Sequence, residues 1–166
     1  MSKRLGYFTK TVQDWHKSVE RDLPWKNTGD AYHIWVSEII LQQTRVEQGR
    51  PYYLNFIKQF PTVSSLAQAP VEEVLKIWEG LGYYSRARNM HEAAKDIVWR
   101  FDGRFPDSYD DILSLKGIGT YTASAIASFA FGLPHAVVDG NVIRVLSRYF
   151  GYAQSIDSSK GKKYVD

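Results

Sequence analysis

Leu115-Lys116-Gly117-Ile118-Gly119 is the stretch on which the reading of this chain turns. Two glycines permit a tight hairpin with exposed backbone N–H groups, and Ile118 between them can anchor it inward. Helical patterns flank it. Asp107 or Ser108 can cap a short helix running through Leu115, and residues 122–131 are small and apolar, closed by Gly132. The hairpin amides and the positive start of the helix beginning near Thr120 form a natural phosphate cradle. Lys116, Gly117, Ile118, Gly119 and Thr120 are therefore candidate phosphate contacts. Such contacts position a protein on a nucleic-acid backbone without reading its sequence. A plain helix–helix turn uses the same residues, so the hairpin alone leaves both readings open.

Outward from the hairpin the pattern stays helical. Met90, Ala93, Ala94, Ile97, Val98 and Phe101 stand at i, i+3, i+4, i+7, i+8 and i+11, a single apolar stripe. Pro70 suits the first turn of a helix carrying Val71, Val74, Leu75 and Trp78, ended by Gly80. Tyr53, Phe56, Ile57 and Phe60 mark another, which stops before Pro61 because the residue preceding proline disfavours helical geometry. Ile34, Trp35, Val36, Ile39, Ile40 and Leu41 are apolar on nearly every side, which implies a deeply buried helix. Phe8, Val12 and Trp15 predict a first helix over residues 7–19, after which Leu23-Pro24-Trp25 and Asn27-Thr28-Gly29-Asp30 break the pattern. Asp139 is placed to cap a last full helix over 142–149, ended by Gly151. No alternating pattern is longer than residues 136–138. The fold class expected is all-α, with about eight to ten short helices.

The 166 residues fit one domain by the usual length of roughly 100–200 residues. A composition of 44% hydrophobic and 23% charged residues excludes collagen-like, disordered and low-complexity classes. The longest apolar runs, such as 125–131, are broken by Ser128 and too short to span a membrane. Met1-Ser2-Lys3-Arg4 leads into polar and aromatic residues rather than an apolar signal segment. With no cysteine, the chain can form no disulfide, thiol nucleophile or thiolate-held metal site. An intracellular protein is expected, in the cytoplasm or nucleoid if bacterial. The net charge of +3 tilts only weakly toward acidic partners. Among 11 Tyr, 8 Phe and 5 Trp, most fill a core and a few in clefts can stack on bases.

Leu115-Lys116-Gly117-Ile118-Gly119-Thr120-Tyr121-Thr122-Ala123, followed by Val138-Asp139-Gly140-Asn141-Val142, resembles the helix-hairpin-helix DNA glycosylase superfamily. Leu23-Pro24-Trp25, Trp35-Val36-Ser37-Glu38-Ile39-Ile40-Leu41-Gln42-Gln43-Thr44 and Gly80-Leu81-Gly82-Tyr83-Tyr84-Ser85-Arg86-Ala87-Arg88-Asn89 match its adenine-specific MutY-type branch in order and spacing. The resemblance covers roughly residues 15–149. It implies a helix-hairpin-helix glycosylase fold: a six-helix barrel core over 29–135 with the hairpin at 115–119. Residues 1–28 would supply an N-terminal helix and pocket loop belonging to a second, cluster-side helical domain. Residues 136–166 would supply the catalytic Asp loop and a return helix. The implied function is monofunctional base excision: hydrolysis of the N-glycosidic bond of adenine mispaired with 8-oxoguanine or guanine in double-stranded DNA. No membrane partner is expected, and a monomer is implied for the full-length protein, with the oligomeric state of this chain left open.

That bond breaks through an oxocarbenium-like transition state, which needs a proton donor at the leaving base and negative charge near the sugar. The base must first be flipped out of the stack. Glu38 sits in an otherwise apolar helix, where desolvation raises its pKa, and is the candidate acid. From periodicity alone it is equally a carboxylate on the one polar edge of a buried helix; the match to the family motif favours the acid. Asp139 before Gly140-Asn141 is an ordinary cap, and the resemblance implies that it also stabilises the sugar cation or a transient covalent intermediate. Tyr121 stands where the bifunctional, endonuclease III-like branch carries a Schiff-base lysine, so strand cleavage by that route is lost. Asn141 is implied to order Asp139 or a water. Arg21, Trp25 and Lys26 match residues lining the adenine pocket, Lys26 keeping the charge of a frequent arginine without its bidentate fork. Gln43 and Tyr83 match residues that wedge into the duplex, with Gln42 beside them; Tyr83 can otherwise pack in the core. Arg86 and Arg88 are open to phosphates, bases or solvent. His16, His33, His91 and His135 show no ligand spacing and read as structural or surface residues, so no protein-held metal is implied.

Three other readings stay open. A thymine-specific mismatch branch also carries Tyr at position 121, although Leu41-Gln42-Gln43-Thr44 and Asp139-Gly140-Asn141 favour adenine. A bifunctional glycosylase/lyase is opposed by Tyr121, and a non-enzymatic module would touch duplex backbone only. Family members normally continue past this endpoint into a helical segment that packs on the N-terminal helix and ends in four cysteines holding a 4Fe–4S cluster. A C-terminal domain that recognises 8-oxoguanine follows. After Tyr152 this chain becomes Ser/Lys/Gly-rich. The resemblance thus implies truncation before the iron–sulfur region, with no cofactor bindable by this chain and a second pocket carboxylate beyond Asp166. It also implies an exposed apolar face around Phe8, Val12 and Trp15, weak DNA binding and poor discrimination of 8-oxoguanine from guanine.

Overall fold

Helix formation starts from the most apolar segment. Ala31–Leu41 folds as a helix that buries Ile34, Trp35, Val36, Ile39 and Ile40. Its first free amides are satisfied by the Asp30 carboxylate, which accepts from Tyr32 N at 2.8 Å and His33 N at 3.3 Å. The computed structural model describes residues 3–152 apart from Glu20 and Asn27. Among the described residues the chain is all-helical, without a strand: α1 (Lys3–Ser18), α2 (Ala31–Leu41), α3 (Val46–Gln59), α4 (Val63–Gln68), α5 (Val71–Ile77), α6 (Ser85–Phe101), α7 (Tyr109–Ser114), α8 (Thr120–Phe131) and α9 (Gly140–Phe150). The Ser/Lys/Gly-rich stretch after Tyr152 lies outside them.

Helix α2 packs against α3 and α8, and α6 packs against α4 and α5. The fully buried Ala123 and Ala127 keep the α8 face small, so α2 can approach closely. The apolar stripe read along α6 is real: Met90, Ala93, Ala94 and Ile97 are buried. On the opposite face Trp99 is 84% exposed. Helix α4 is an element the sequence pattern did not announce. It is only six residues long, and a capping box between Thr62 and Ser65 secures its start. Helix α3 begins at Val46, well upstream of its aromatic cluster, and carries Pro51 inside it, at the loss of one intrahelical hydrogen bond.

The first and last helices meet through aromatic rings. Phe8 packs on Tyr149 and Phe150, with ring centroids 4.5 Å and 6.2 Å apart, while Tyr7, Val12 and Trp15 of α1 are exposed. Three histidines have structural partners. His33 Nδ1 pairs with the Tyr53 hydroxyl at 3.0 Å, His91 Nε2 donates to the Ala69 carbonyl at 2.9 Å, and His135 stacks on Tyr109 at 4.2 Å. Among the described residues no helix is long and apolar enough to cross a membrane. Ala94→Leu, at a fully buried position of α6, is expected to destabilise the fold by about 1–3 kcal/mol through overpacking. Trp99→Ser should stay within about 0.5 kcal/mol, and urea unfolding of the two variants measures the contrast.

Candidate active site

Ile34, Ser37 and Glu38 stand at i, i+3 and i+4, so they share one face of α2. That face lines a cavity of about 410 Å³ together with His16, Leu23, Trp25, Lys26, Gly29 and Phe129. Trp25 is held edge-on to Tyr53, with centroids 5.1 Å apart. Trp25 and Lys26 therefore join Glu38. Arg21 does not: it lines an adjoining cavity of about 220 Å³ with Trp15 and Val19. His16 and Phe129 were not foreseen here. His16 belongs to the last turn of α1 and reaches the cavity only because α1 is laid across it, an arrangement that no local spacing announces.

Three side chains converge from distant parts of the chain. Burial pushes the Glu38 carboxyl up to about 6; a hydrogen bond from Tyr121 pulls it back, and the nearby Asp139 charge adds to the rise. The Tyr121 phenol is pushed up to about 12 by its own burial and by the two carboxylates, so it stays a neutral donor. The close packing of α2 on α8 sets Tyr121 beside Glu38. Asp139 is held the other way. Partial burial raises its pKa, but bonds from Val142 N at 2.7 Å and Asn141 Nδ2 at 3.1 Å, with the charge of Arg144, bring it below the ordinary carboxylate range. Asn141 is fixed in turn by accepting from Arg144 Nη2 at 3.3 Å. Two carboxyls pushed apart in this way form a ready acid and a standing anion.

The hairpin 115–119 joins α7 to α8. Gly117 has φ +80°, and a Cβ there would lie 2.7 Å from Asn89 Cβ, so both backbone and packing demand glycine. Gly119 begins α8 without any side-chain cap, and a Cβ there would meet nothing within 4 Å. Ile118 is buried, while Lys116, Gly119 and Thr120 are exposed, leaving the α8 amides open to an anion.

Two further loops flank the cavity helix. Gln43 (φ 58°) and Tyr83 (φ 47°) both adopt the left-handed region, and Tyr83 is 70% exposed rather than packed in the core. Arg86 is half-buried rather than a solvated face. Its guanidinium turns inward onto the carbonyls of Ile39, Ile40, Gln42, Leu81 and Gly82, while Arg88 is exposed. Among the described residues no group of three or more His, Asp or Glu could hold a metal ion. With no cysteine in the chain, a thiolate-held cluster has no ligand here.

A family model described as "HhH-GPD superfamily base excision DNA repair protein" matches residues 36–165. The chain belongs to the HhH-GPD superfamily. This HhH-GPD chain is 46% identical over 144 residues to "Adenine DNA glycosylase" of Buchnera aphidicola subsp. Baizongia pistaciae, covering 86% of itself and 41% of that protein. It is 43% identical over 150 residues to the human protein of the same name, covering 85% of itself and 28% of that protein. The chain thus spans less than half the length of these relatives. Among solved structures, a thermostable thymine-DNA glycosylase superposes with a TM-score of 0.88 at 29% identity, over 98% of this chain and 77% of that one. A non-covalent endonuclease III–DNA complex, at 21% identity and TM-score 0.80 over 99% of this chain and 77% of that one, shares the HhH-GPD fold.

Glu38 and the hairpin glycines each have a measurable signature. The folded-state pKa of Glu38 lies above its ordinary 4.5, so its favourable contribution is complete below pH 4.5 and is lost as pH rises through about 6. Relative to Glu38→Gln, the wild-type chain is expected to lose about 2 kcal/mol between pH 4.5 and 7.5, read by urea unfolding across that range. Gly117→Ala should cost at least about 1–2 kcal/mol for its left-handed φ alone, with the Asn89 clash added, whereas Gly119→Ala, which loses only glycine's advantage over alanine as an N-cap, should cost about 0.5–1 kcal/mol.

Proposed function

We propose that this chain carries the base-excising core of a monofunctional adenine DNA glycosylase, acting on adenine opposite 8-oxoguanine or guanine in double-stranded DNA. The observation that carries the reading is the pair of carboxyls, Glu38 raised to about 6 and Asp139 held ionised, both acting on Tyr121, with Glu38 itself in the wall of a cavity of about 410 Å³. That volume lies within the usual range for small-molecule pockets, roughly 300–1,000 Å³, and its lining is mostly apolar around a few polar groups. The relatives named for adenine glycosylase activity, at 46% and 43% identity, support the choice of base.

The chemistry follows from the electrostatics. A flipped adenine enters between Trp25, Lys26 and α2, where bulk water is largely displaced. Protonated Glu38 donates to a ring nitrogen of the leaving base, so the bond to the sugar breaks with the electron pair going to adenine. The cationic sugar that forms is stabilised by the ionised Asp139, whose orientation Val142 N and Asn141 fix. Tyr121 offers its hydroxyl near both carboxyls but has no amine, so no Schiff base forms and the strand is left intact. Water then adds to the sugar, with Glu38, now a carboxylate, positioned to take its proton. Lys116 and the amides of Gly119 and Thr120 hold a backbone phosphate and carry no sequence information. The 4Fe–4S cluster expected in longer family members lies outside this chain, and no step here runs through it.

The thermostable thymine-DNA glycosylase with TM-score 0.88 favours a second substrate, mismatched thymine, which release assays on the two kinds of duplex separate. In single-turnover release from duplexes holding adenine opposite 8-oxoguanine, Glu38→Gln is expected to fall ~10²–10⁴-fold below wild type with unchanged helical circular dichroism. The wild-type kcat/KM should drop about tenfold per pH unit above 6 as the free enzyme loses the Glu38 proton. Gly119→Ala should weaken duplex binding by filling the space at the hairpin without unfolding it. Adenine release unaffected by Glu38→Gln would overturn the mechanism, and release of thymine alone would overturn the substrate.

A further inference from the structure

The guanidinium of Arg86 leaves the first turn of α6 and enters the gap between two loops. Its Nη1 donates to the Ile39 carbonyl at 2.8 Å, Ile40 at 3.3 Å and Gln42 at 2.6 Å. Its Nη2 donates to Leu81 at 3.3 Å and Gly82 at 3.3 Å. The first group is the open end of α2, where helix carbonyls lack partners and the helix dipole favours a cation. The second belongs to the loop that joins α5 to α6. In each loop the last carbonyl bound belongs to the residue just before a left-handed, non-glycine residue: Gln42 before Gln43, and Gly82 before Tyr83. Such conformations persist only where the surroundings over-determine them. One side chain is common to the surroundings of both loops: the Arg86 guanidinium, with its carbon 5.2 Å from the Trp78 ring centroid and 5.7 Å from that of Tyr83. Trp78 adds its own bond, Nε1 to the Gly82 carbonyl at 3.1 Å.

We propose that Arg86 is a positioning residue that locks the Gln43 and Tyr83 loops into a single rigid wedge, so that opening the duplex depends on it while bond cleavage at Glu38 does not. The proposal rests on the glycosylase reading above for the meaning of the wedge, but the locking itself is a property of the free protein. Neither loop touches the other through a residue of its own in the bonds described; the guanidinium is the piece they share. Only a planar fork with donors on both arms can do this. A lysine ammonium keeps the charge but is a point donor and cannot span the two sets of carbonyls.

The test uses Arg86→Lys in the full chain. Hydrogen exchange of the free protein should accelerate by about tenfold or more in residues 42–45 and 82–84 together, with α8 unchanged. Excision should fall at least ~10-fold on a fully paired duplex and recover most of that loss when the adenine sits in an unpaired bubble, because a wedge is not needed there. Glu38→Gln loses activity on both substrates. If wild type releases adenine from neither, the glycosylase reading fails, while the exchange experiment still decides whether Arg86 ties the loops. Acceleration in one loop only, or equal losses on duplex and bubble, would overturn the proposal. Should Arg86→Lys prove globally unstable, the exposed wedge residues give the same answer: Gln43→Ala and Tyr83→Ala must each reproduce the duplex-specific loss, with the double variant no worse than the poorer single one. Additive losses would mean two independent loops.

Discussion

Nearly complete burial of α2 is the constraint around which the molecule is arranged. A helix with Trp35, Val36, Ile39 and Ile40 all withdrawn from water needs partners on almost every side, and α3 and α8 supply them. Only His33, Glu38 and Leu41 stay partly open, and of these Glu38 lines the cavity. The same desolvation that stabilises the helix therefore raises the proton affinity of its single carboxyl. Both helix ends are also closed by side chains from elsewhere in the local frame: Asp30 at the start and Arg86 at the finish.

The two carboxyls of the site reach their opposite states by different means. Glu38 is governed by what has been removed around it, namely water; Asp139 is governed by what has been added, namely N–H donors of Val142 and Asn141 and a nearby cation. Because Asp139 is also the cap of α9, the bonds that keep it ionised are folding bonds. Its electrostatic state is consequently tied to the integrity of a helix rather than to the cavity. Tyr121, reached by both charges, is the only neutral hydroxyl among the three.

Much of this was legible along the chain. The period of Met90, Ala93, Ala94 and Ile97 gave away α6, and Ser108, Asp139, Gly132 and Gly151 marked helix ends because capping is a local rule. The hairpin was legible for the same reason, since a glycine with positive φ leaves a local trace at Gly117. Helix α4 left too short a trace to register. What stayed hidden was anything decided by where one helix lies across another. His16 looks like a surface residue until α1 is set against the cavity, and Arg21 looks like its neighbour until it turns into the next one. Arg86 is the sharpest case. An arginine in the first turn of a polar-faced helix reads as solvated, and its inward course depends on two loops about forty residues apart in sequence meeting at one point.

The left-handed conformations of Gln43 and Tyr83 carry a kinetic consequence. A residue confined to that small region of backbone space has few alternatives left to lose, so its disorder is surrendered when the protein folds. A partner meeting these two side chains would not have to wait for them to find their shape, nor spend association energy on ordering them. Encounter would then be limited by diffusion and by the modest positive charge of the chain rather than by loop rearrangement. Fixed features of this kind make each encounter fast and leave its duration to the contacts formed afterwards.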